Sequence, residues 1–566
     1  MTPRRRLLLA ALLGLLTTLL LSLGHRQVGY VRDEGIYFAA SRQYAAWTAR
    51  LLADPAAALT ARERDRAFTT NHEHPAFLKI VAGISARLLA EPGPATTIKT
   101  QERAPAGLLP LLPEGAAMRL PAQLLAGLAV ALLFLAGAAL SPPVPKTSRL
   151  PLLAGLCAAL WFIGLPHVWF HAGLHCFDVP VAAATLAVVL IYRRALHHRG
   201  WALALGPALG VAISIKHNAL FIPLLLALHY LACLALARRR PTRGQLLPLP
   251  FLSMAVLAPL TVLALWPWLW TDPLGRLNEY VEFHRLHAYY NTEYLGINYN
   301  RPPLPISYPF VLTWATVPTG ALLLALFGLA AGLRRDLSLG TAQPVPPDSP
   351  TWTAPLAGQP ARDGLLFALF AAFPLLLIAA PNIPIFGGTK HWLTAYPFLA
   401  LAAASGFVTL ATSLQTARTR RLPAVVLALV LVPGLWSTID GHPHGLSQYA
   451  PLIGGPRGAA DSGLLRGFWG HSVPPSILHQ GASVGPIYLH DLAELTRLQY
   501  EREGRWPADA MPTGPARART GLLFHERHMR THELDLWSHL GRAPAEVVSL
   551  DDVPLTSLYR GDPAAR

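Results

Sequence analysis

The sequence predicts an all-α polytopic membrane protein, with about eleven transmembrane helices and a small C-terminal α/β domain outside the membrane. Three observations support this fold class. The 566 residues are 52% hydrophobic and only 14% charged, whereas soluble domains carry about 25% charged residues. Apolar runs of about 17–25 residues recur, which is the length that crosses the bilayer core. Polar composition returns after Ser437, and this indicates the soluble domain.

The positive charge of the chain lies in short clusters between apolar runs. Lys and Arg number 47 and Asp and Glu 31, which gives a net charge of +16. Basic loops of this kind mark the cytoplasmic side of a membrane protein, so we expect no nucleic-acid partner. The clusters are Arg4–Arg6, Lys146 with Arg149, Arg193 and Arg194 with Arg199, Arg238–Arg240, Arg334 with Arg335, and Arg418 and Arg420 with Arg421.

One threading places all of these clusters in the cytoplasm, with the N-terminus inside and the C-terminus outside the inner (plasma) membrane. Its first span is uncleaved, because the N-terminal apolar run lacks a small-residue cleavage site before His25 and Arg26. The predicted spans cover residues 7–24, 118–140, 150–170, 177–193, 200–216, 219–237, 247–268, 307–333, 363–381, 391–411 and 422–437.

One apolar segment stays outside this threading. HPAFLKIVAGISARLLA, which begins at His74, carries Lys79 and Arg87 and is short for a span. If it were a span, every later basic cluster would lie outside the membrane and not in the cytoplasm. We therefore expect an amphipathic helix in the outer interface. The alternative is a twelfth span.

The threading divides the chain into three parts. A transmembrane catalytic domain covers residues 1–437, and its outer loop, 25–117, carries an acidic motif and the interfacial helix. A Pro-rich linker, 334–362, lies in the cytoplasm as a mobile spacer. Residues 438–566 form a periplasmic soluble domain that either recognises an acceptor, covers the site or only stabilises the chain.

Carboxylates lie at the outer ends of the predicted spans. The stretch RDEGIYF places Asp33 and Glu34 just after the first span, and Asp178 begins another. Ionisable residues near membrane depth are costly and are usually functional. A carboxylate within hydrogen-bond reach of a hydroxyl acts as a general base.

Cations lie at the same outer ends. Arg119, Lys216 and Lys390 stand where short loops otherwise lack Lys and Arg, so they are not topology signals. Taken singly, each is equally well explained as a snorkelling interfacial anchor. Together with the carboxylates they indicate binding of a lipid phosphate and transfer of its sugar. In this hypothesis the second-rank polar contacts are His74, His217 and His391.

The motif NHEHP has two interpretations. His72, Glu73 and His74 suggest a divalent metal as the one candidate cofactor, although their spacing is not that of a helical zinc site. The alternative is a turn that leads into a helix with Pro75 at its first position.

The third outer loop is rich in Trp, Tyr and Asn. Flat aromatic rings suit sugar faces and amides suit hydroxyl groups, whereas the Trp cluster is equally typical of an interfacial belt. The segment YLGINYNRPPLP is less typical of a belt, and it predicts sugar contacts from Tyr294, Asn298, Tyr299 and Asn300.

Six segments occur in a characteristic order: RDEGIYFAASRQYAAW, NHEHPAFLKIVAG, MRLPAQLLAGL, GLHCFDVPVAAATLAVV, SIKHNALFIPLLL and FGGTKHWLTAYPFLALAAASG. As an ordered set, over residues 1–437, they resemble the GT-C superfamily of integral-membrane glycosyltransferases. The branch they resemble is family 39, which includes protein O-mannosyltransferases and is similar to the lipid A aminoarabinose transferase.

The resemblance implies roles for particular residues. The acidic residue that the family uses for catalysis in its first outer loop matches Asp33, with Glu34 beside it. Its second Asp matches Asp178. The His-Pro-Pro motif of the family matches His74 and Pro75, whereas this chain has alanine at the next position. The resemblance also implies a polyprenyl-phosphate sugar donor, inversion of the anomeric centre and a helix in the outer loop.

We therefore expect a hexosyl- or pentosyltransferase that works among membrane lipids on a hydroxyl of a protein or glycolipid acceptor. In this hypothesis Asp33 is the base, Glu34 supports it and Asp178 positions the acceptor or the sugar. The first alternative is a transporter or flippase for a lipid-linked sugar, and a second is transfer of a phosphate or acyl group. Transporters often show inverted repeats with charges at the midplane. Here the charges lie on one face and no repeat is visible, which favours an enzyme.

Overall fold

The computed structural model describes residues 2–93, 106–145, 148–237, 241–339, 352–356, 360–414, 421–478, 483–525 and 530–561. Within these ranges the chain is mainly helical, with two small sheets. The predicted fold class, mainly helical with apolar spans and a small C-terminal sheet, is confirmed, whereas the number of about eleven spans stays a prediction. The parts of the predicted basic clusters that fall outside the described residues are Lys146, Arg238–Arg240, Arg418 and Arg420.

The N-terminal part begins and ends with a long apolar helix, and four described helices outside the predicted spans lie between these two. The helices are α1 (Pro3–Gly24), α2 (Arg32–Ala53), α3 (Pro55–Ala58), α4 (Ala61–Phe68), α5 (Phe77–Leu89) and α6 (Glu114–Ala139). The predicted outer loop 25–117 is therefore largely helical.

The middle of the chain follows the predicted spans, except that the predicted spans 150–170 and 307–333 each divide into two helices. Its elements are α7 (Leu150–Ile163), α8 (Pro166–Ala172), α9 (Asp178–Ala195), α10 (Arg199–Ile213), α11 (Ile222–Leu236), α12 (Arg243–Leu246), α13 (Leu249–Leu265), α14 (Pro273–Arg285), β1 (Thr292–Tyr294), β2 (Ile297–Tyr299), α15 (Tyr308–Thr316), α16 (Thr319–Ser338), α17 (Asp363–Ile378), α18 (Tyr396–Leu414) and α19 (Leu422–Asp440). Short 3₁₀ helices precede α11 and α18, at His217–Phe221 and Gly388–Ala395.

Six helical stretches in the described ranges are long and apolar enough to cross a membrane by themselves. Helices α7 and α8 add a seventh crossing if they form one span that is bent by 74°. Close backbone contacts pack the apolar helices. A Cβ atom on Gly14 of α1 would lie 2.8 Å from the Gly127 oxygen of α6, as expected where small residues let membrane helices approach.

The acidic motif begins a helix and does not lie in a loop as predicted. Asp33 and Glu34 occupy the first turn of α2, where negative charge complements the helix dipole. The Glu34 carboxylate also accepts a hydrogen bond from the Val31 backbone N–H at 3.1 Å. These contacts explain why a helix starts at the charged residues.

Helix α5 is the segment for which an interfacial helix was predicted. Its 13 residues span about 20 Å, which is less than the bilayer core. It packs closely on α2, because a Cβ atom on Gly83 would lie 2.0 Å from the Ser41 carbonyl oxygen.

The predicted linker 334–362 is more ordered than a spacer in the residues that are described. Helix α16 continues to Ser338. The Leu356 N–H donates to the Leu196 carbonyl at 2.9 Å, and the Trp352 carbonyl accepts from the Leu249 N–H at 2.8 Å. Leu356 is fully buried. Residues 352–356 therefore pack against the ends of the helices and do not form a mobile spacer.

The C-terminal part folds as the small α/β domain that composition predicts. It contains α20 (Gly455–Asp461), α21 (Pro475–Leu478), β3 (Ile487–Leu489), α22 (Glu494–Arg502), β4 (Thr520–Phe524), α23 (Arg530–Leu540), β5 (Glu546–Leu550) and β6 (Val553–Arg560). The sheet has the order β3-β4-β6-β5, with β3 and β4 parallel and the other pairs antiparallel. Helix α22 lies against α2 of the membrane domain.

Candidate active site

A cavity of about 770 Å³ lies between the start of α2, the start of α9 and the C-terminal domain. One half of its wall is polar and charged. Another part is apolar and is formed by α11, the 3₁₀ helix before it and α17, with Phe221, Ile222, Leu225, Phe370, Phe373, Pro374, Leu377 and Ile378. The cavity therefore offers a charged pocket that continues into an apolar branch.

Asp33 and Lys390 form an ion pair in the charged half. Their side chains meet at 3.4 Å between Oδ2 and Nζ. Lys390 is held by aromatic rings, since its ammonium lies 3.9 Å from the ring centroid of Trp469 and 4.9 Å from that of Phe386. The Asp33 side chain is 29% exposed and that of Lys390 only 6%, so a ligand reaches the carboxylate more easily than the ammonium.

Asp178 and Lys216 form a second, shorter ion pair in the same cavity. Lys216 Nζ donates to Asp178 Oδ1 at 2.6 Å, and both side chains are largely buried. Asp178 is the first residue of α9, where the helix dipole favours a carboxylate. The structure thus brings together four of the predicted residues as two acid–base pairs.

Glu34 and Arg119 do not line the cavity. Arg119 donates to both Glu34 oxygens, at 2.7 and 2.6 Å, and its other N–H groups bind the carbonyls of His25, Val28 and Gly29. Both side chains are almost fully buried. The predicted phosphate contact of Arg119 does not fit this geometry, because its hydrogen bonds already hold the segment between α1 and α2.

Five histidines of the described part of the chain line the cavity. His74, His217 and His391 all line it, as predicted, together with His284 and His287, which the sequence reasoning missed. The rings of His217 and His284 lie 4.1 Å apart between centroids. Burial lowers the pKa of His74 well below its usual value, and burial also lowers the pKa of His284. These two rings are therefore neutral at pH 7.

The NHEHP loop is organised by a buried lysine. Lys79 of α5 is fully buried and donates to the carbonyl oxygens of Asn71 and His74, the latter at 2.9 Å. Burial lowers the pKa of Lys79 to about 7. The described residues include no group of three or more His, Cys, Asp or Glu that could hold a metal ion, and the divalent metal stays a prediction.

The four predicted sugar contacts of the third outer loop lie in the β1–β2 hairpin or directly after it, and Asn300 accepts a hydrogen bond from the cavity-lining Asn291 at 2.9 Å. Tyr294 is buried and bonds Ser307 Oγ at 2.7 Å through its hydroxyl. None of Tyr294, Asn298, Tyr299 and Asn300 lines the cavity, and their contact with a sugar stays a prediction. The loop contributes other residues to the wall, and these are Phe283, His284, His287, Tyr290 and Asn291.

The C-terminal region supplies a further part of the wall. Leu465, Phe468, Trp469 and Asp491 line the cavity, and no sequence pattern indicated them. Trp469 has a left-handed backbone with a φ of 76°, which is rare for a bulky residue. Backbone conformations of this kind cluster at functional sites.

Two solved structures of ArnT from Cupriavidus metallidurans are similar to this chain. The apo structure is 14% identical, with 98% of each chain covered and a TM-score of 0.48. The structure bound to undecaprenyl phosphate is also 14% identical over 98% of each chain, with a TM-score of 0.45. No protein-family model matches the sequence, and a search of curated proteins finds no match. At this level of similarity the GT-C resemblance of the ordered segments stays a prediction.

Proposed function

We propose that the chain transfers a sugar from a polyprenyl-phosphate donor to an acceptor hydroxyl on the outer face of the inner membrane, with inversion. One observation carries this proposal. A single cavity combines two carboxylate–lysine pairs with an apolar branch between α11 and α17. Transfer from a lipid phosphate needs each of these features: a base, a phosphate site and a place for an apolar chain.

The donor phosphate would lie between Lys216 and Lys390, the two lysines of the cavity wall. Ammonium groups bind phosphate oxygens through charge-assisted hydrogen bonds. The polyprenyl chain would continue along Phe373 and Leu377 of α17, in the apolar branch. His74, His217 and His391 would add polar contacts to the sugar or the phosphate.

Asp33 is the proposed general base. Its carboxylate takes the proton of the acceptor hydroxyl while that oxygen attacks the anomeric carbon. The bond between this carbon and the phosphate oxygen breaks, and the departing phosphate carries the electron pair. Lys216 and Lys390 stabilise the charge that develops on it. Attack opposite the leaving group inverts the anomeric centre.

The other acidic residues act indirectly in this proposal. Asp178 holds Lys216, at 2.6 Å, in the direction of the phosphate and does not itself take a proton. Glu34 and Arg119 fix the start of α2 and so the position of Asp33. A divalent metal is not needed for this scheme.

The test is an assay with the purified chain in lipid vesicles. Labelled undecaprenyl-phosphate hexoses and pentoses are supplied together with extracts that contain either envelope proteins or glycolipids. We expect label to move to one acceptor class with release of undecaprenyl phosphate. Movement of labelled donor across the vesicle membrane without release would contradict the proposal and favour a carrier.

A further inference from the structure

Arg32 and Asp491 line the cavity but have no role in the proposed chemistry. Arg32 is the first residue of α2, directly before Asp33, and Asp491 lies between β3 and α22. The Arg32 guanidinium donates to Asp491 Oδ1 across 459 positions of the chain. This ion pair therefore joins the membrane domain to the C-terminal domain inside the cavity wall.

Asp491 has an unsatisfied acceptor. Its Oδ2 is buried and has no hydrogen-bond partner among the described residues. A buried acceptor without a donor lowers stability and normally has an explanation. The backbone of Asp491 is also left-handed, with a φ of 64°, so this side chain is held in an uncommon conformation.

Arg32 keeps donors available beside this acceptor. Its side chain is 41% exposed, although one nitrogen is bound to Asp491. A guanidinium has five N–H donors in a fixed plane. The Arg32 backbone N–H also donates to the Trp469 carbonyl at 2.9 Å. This bond connects the ion pair to Trp469, whose backbone is left-handed.

We propose that Arg32 and Asp491 bind two neighbouring hydroxyl groups of a sugar ring. One hydroxyl donates to Asp491 Oδ2, and the oxygen of the next accepts from the Arg32 guanidinium. A phosphate would be repelled by Asp491 and a cationic group by Arg32, so a neutral diol fits the pair best. The sugar belongs either to the donor or to the acceptor, and this inference rests on the proposed function.

A purely structural role of the pair is the competing explanation. The C-terminal domain has another buried ion pair with the membrane domain, in which Arg502 binds both Glu114 oxygens at 3.1 Å. Neither of these residues lines the cavity. Arg502→Lys therefore loosens the same domain contact without changing the proposed sugar site, and it is the matched control for Asp491→Asn.

The experiment compares wild type, Asp491→Asn and Arg502→Lys as full chains in vesicles. Two rates are measured with the undecaprenyl-phosphate sugar that the wild type uses. One is slow hydrolysis, in which water is the acceptor, and the other is transfer to the acceptor extract. Thermal unfolding is recorded for each variant, so that a loss of folded protein is separated from a loss of binding.

We expect Asp491→Asn to lower the rate at low substrate concentration about tenfold relative to Arg502→Lys, since one charge-assisted hydrogen bond is lost. If the pair binds the donor sugar, the donor KM rises in both reactions. If it binds the acceptor, transfer falls and hydrolysis is unchanged. Equal rates in Asp491→Asn and Arg502→Lys would overturn this inference but would leave the proposed function standing. A wild type that uses no donor would overturn the proposed function and this inference with it.

Discussion

The two lysines of the cavity are both paired with carboxylates. Lys390 lies 3.4 Å from Asp33 and Lys216 lies 2.6 Å from Asp178. A phosphate that enters the cavity competes with these carboxylates for the ammonium groups. Donor binding would then draw Lys390 from Asp33 and leave that carboxylate free to accept a proton.

The first prediction concerns the proposed base. Asp33→Asn should lower the turnover number about 10²–10⁴-fold, because the amide cannot take a proton from the acceptor. Binding of undecaprenyl phosphate should remain, since both lysines are still present. The control is Asp440→Asn at the exposed end of α19. Full transfer by Asp33→Asn would rule out its role as the base.

The two lysines should differ in their effect on stability. Lys216→Met leaves Asp178 charged in a site where its side chain is only 6% exposed, whereas Lys390→Met leaves Asp33 at 29% exposure. An unpaired buried charge costs about 3–5 kcal/mol of unfolding free energy. We expect both variants to weaken undecaprenyl phosphate binding, but Lys216→Met to lower the melting temperature more. The opposite order of melting temperatures would contradict this assignment.

The buried Lys79 makes stability depend on pH. Its folded pKa of about 7 lies below its usual value of 10.5, so between these pH values the unfolded chain binds the extra proton. Stability should therefore rise with pH from 7 towards 10, by about 1.4 kcal/mol per unit. Thermal unfolding of wild type and Lys79→Met across this range measures the effect as their difference. A difference that stays constant with pH would refute the assignment.

At the level of elements, the positions of the apolar helices could be predicted because apolar runs of membrane length leave few alternatives. Helix α2 was missed because its first turn, with Asp33 and Glu34, is as polar as a loop. Its stability comes from the dipole, from the bond to Val31 and from packing on α5 and α22. These contacts connect distant parts of the sequence, so no local pattern reveals them.

Site prediction succeeded where charge was unusual for its surroundings. Asp178, Lys216 and Lys390 stand out in apolar sequence, and all three line the cavity. Arg119 stood out equally, yet it lies in a buried ion pair. Sequence alone cannot separate these two outcomes, because both place charge next to a span. In the third outer loop, the sequence FHRLH contains His284 and His287. The spacing of these two histidines was the signal from which their place in the cavity could have been predicted.

The contact between α2 and α5 yields a prediction about packing. Gly83→Val should separate these helices, because even a Cβ atom would lie 2.0 Å from the Ser41 oxygen. We expect a loss of about 1–3 kcal/mol in unfolding free energy, together with reduced transfer. Gly200→Ala is the control, since nothing lies within 4 Å of a Cβ atom there. Equal melting temperatures for the two variants would show that α5 adjusts without cost.

At the level of the whole molecule, buried charges hold the C-terminal domain on the membrane domain. Arg502 contacts Glu114, and the Tyr30 hydroxyl donates to Glu503 at 2.7 Å. Arg502→Met should lower the free energy of unfolding by about 3–5 kcal/mol. Arg457→Met breaks an exposed pair with Asp552 and should change it by at most about 1 kcal/mol. Chemical denaturation of both variants measures the difference, and equal losses would contradict it.

The ion pair between Arg32 and Asp491 also bears on how the protein is made. Its two members are separated by 459 positions, so Arg32 is synthesised long before Asp491. Domains generally fold as units in the order of synthesis. The membrane part would therefore be inserted, with its carboxylates and lysines in place, well before Trp469 and Asp491 close the wall. A ribosome-bound chain should hold an incomplete cavity, and sugar transfer should begin only after the C-terminal domain has emerged and folded.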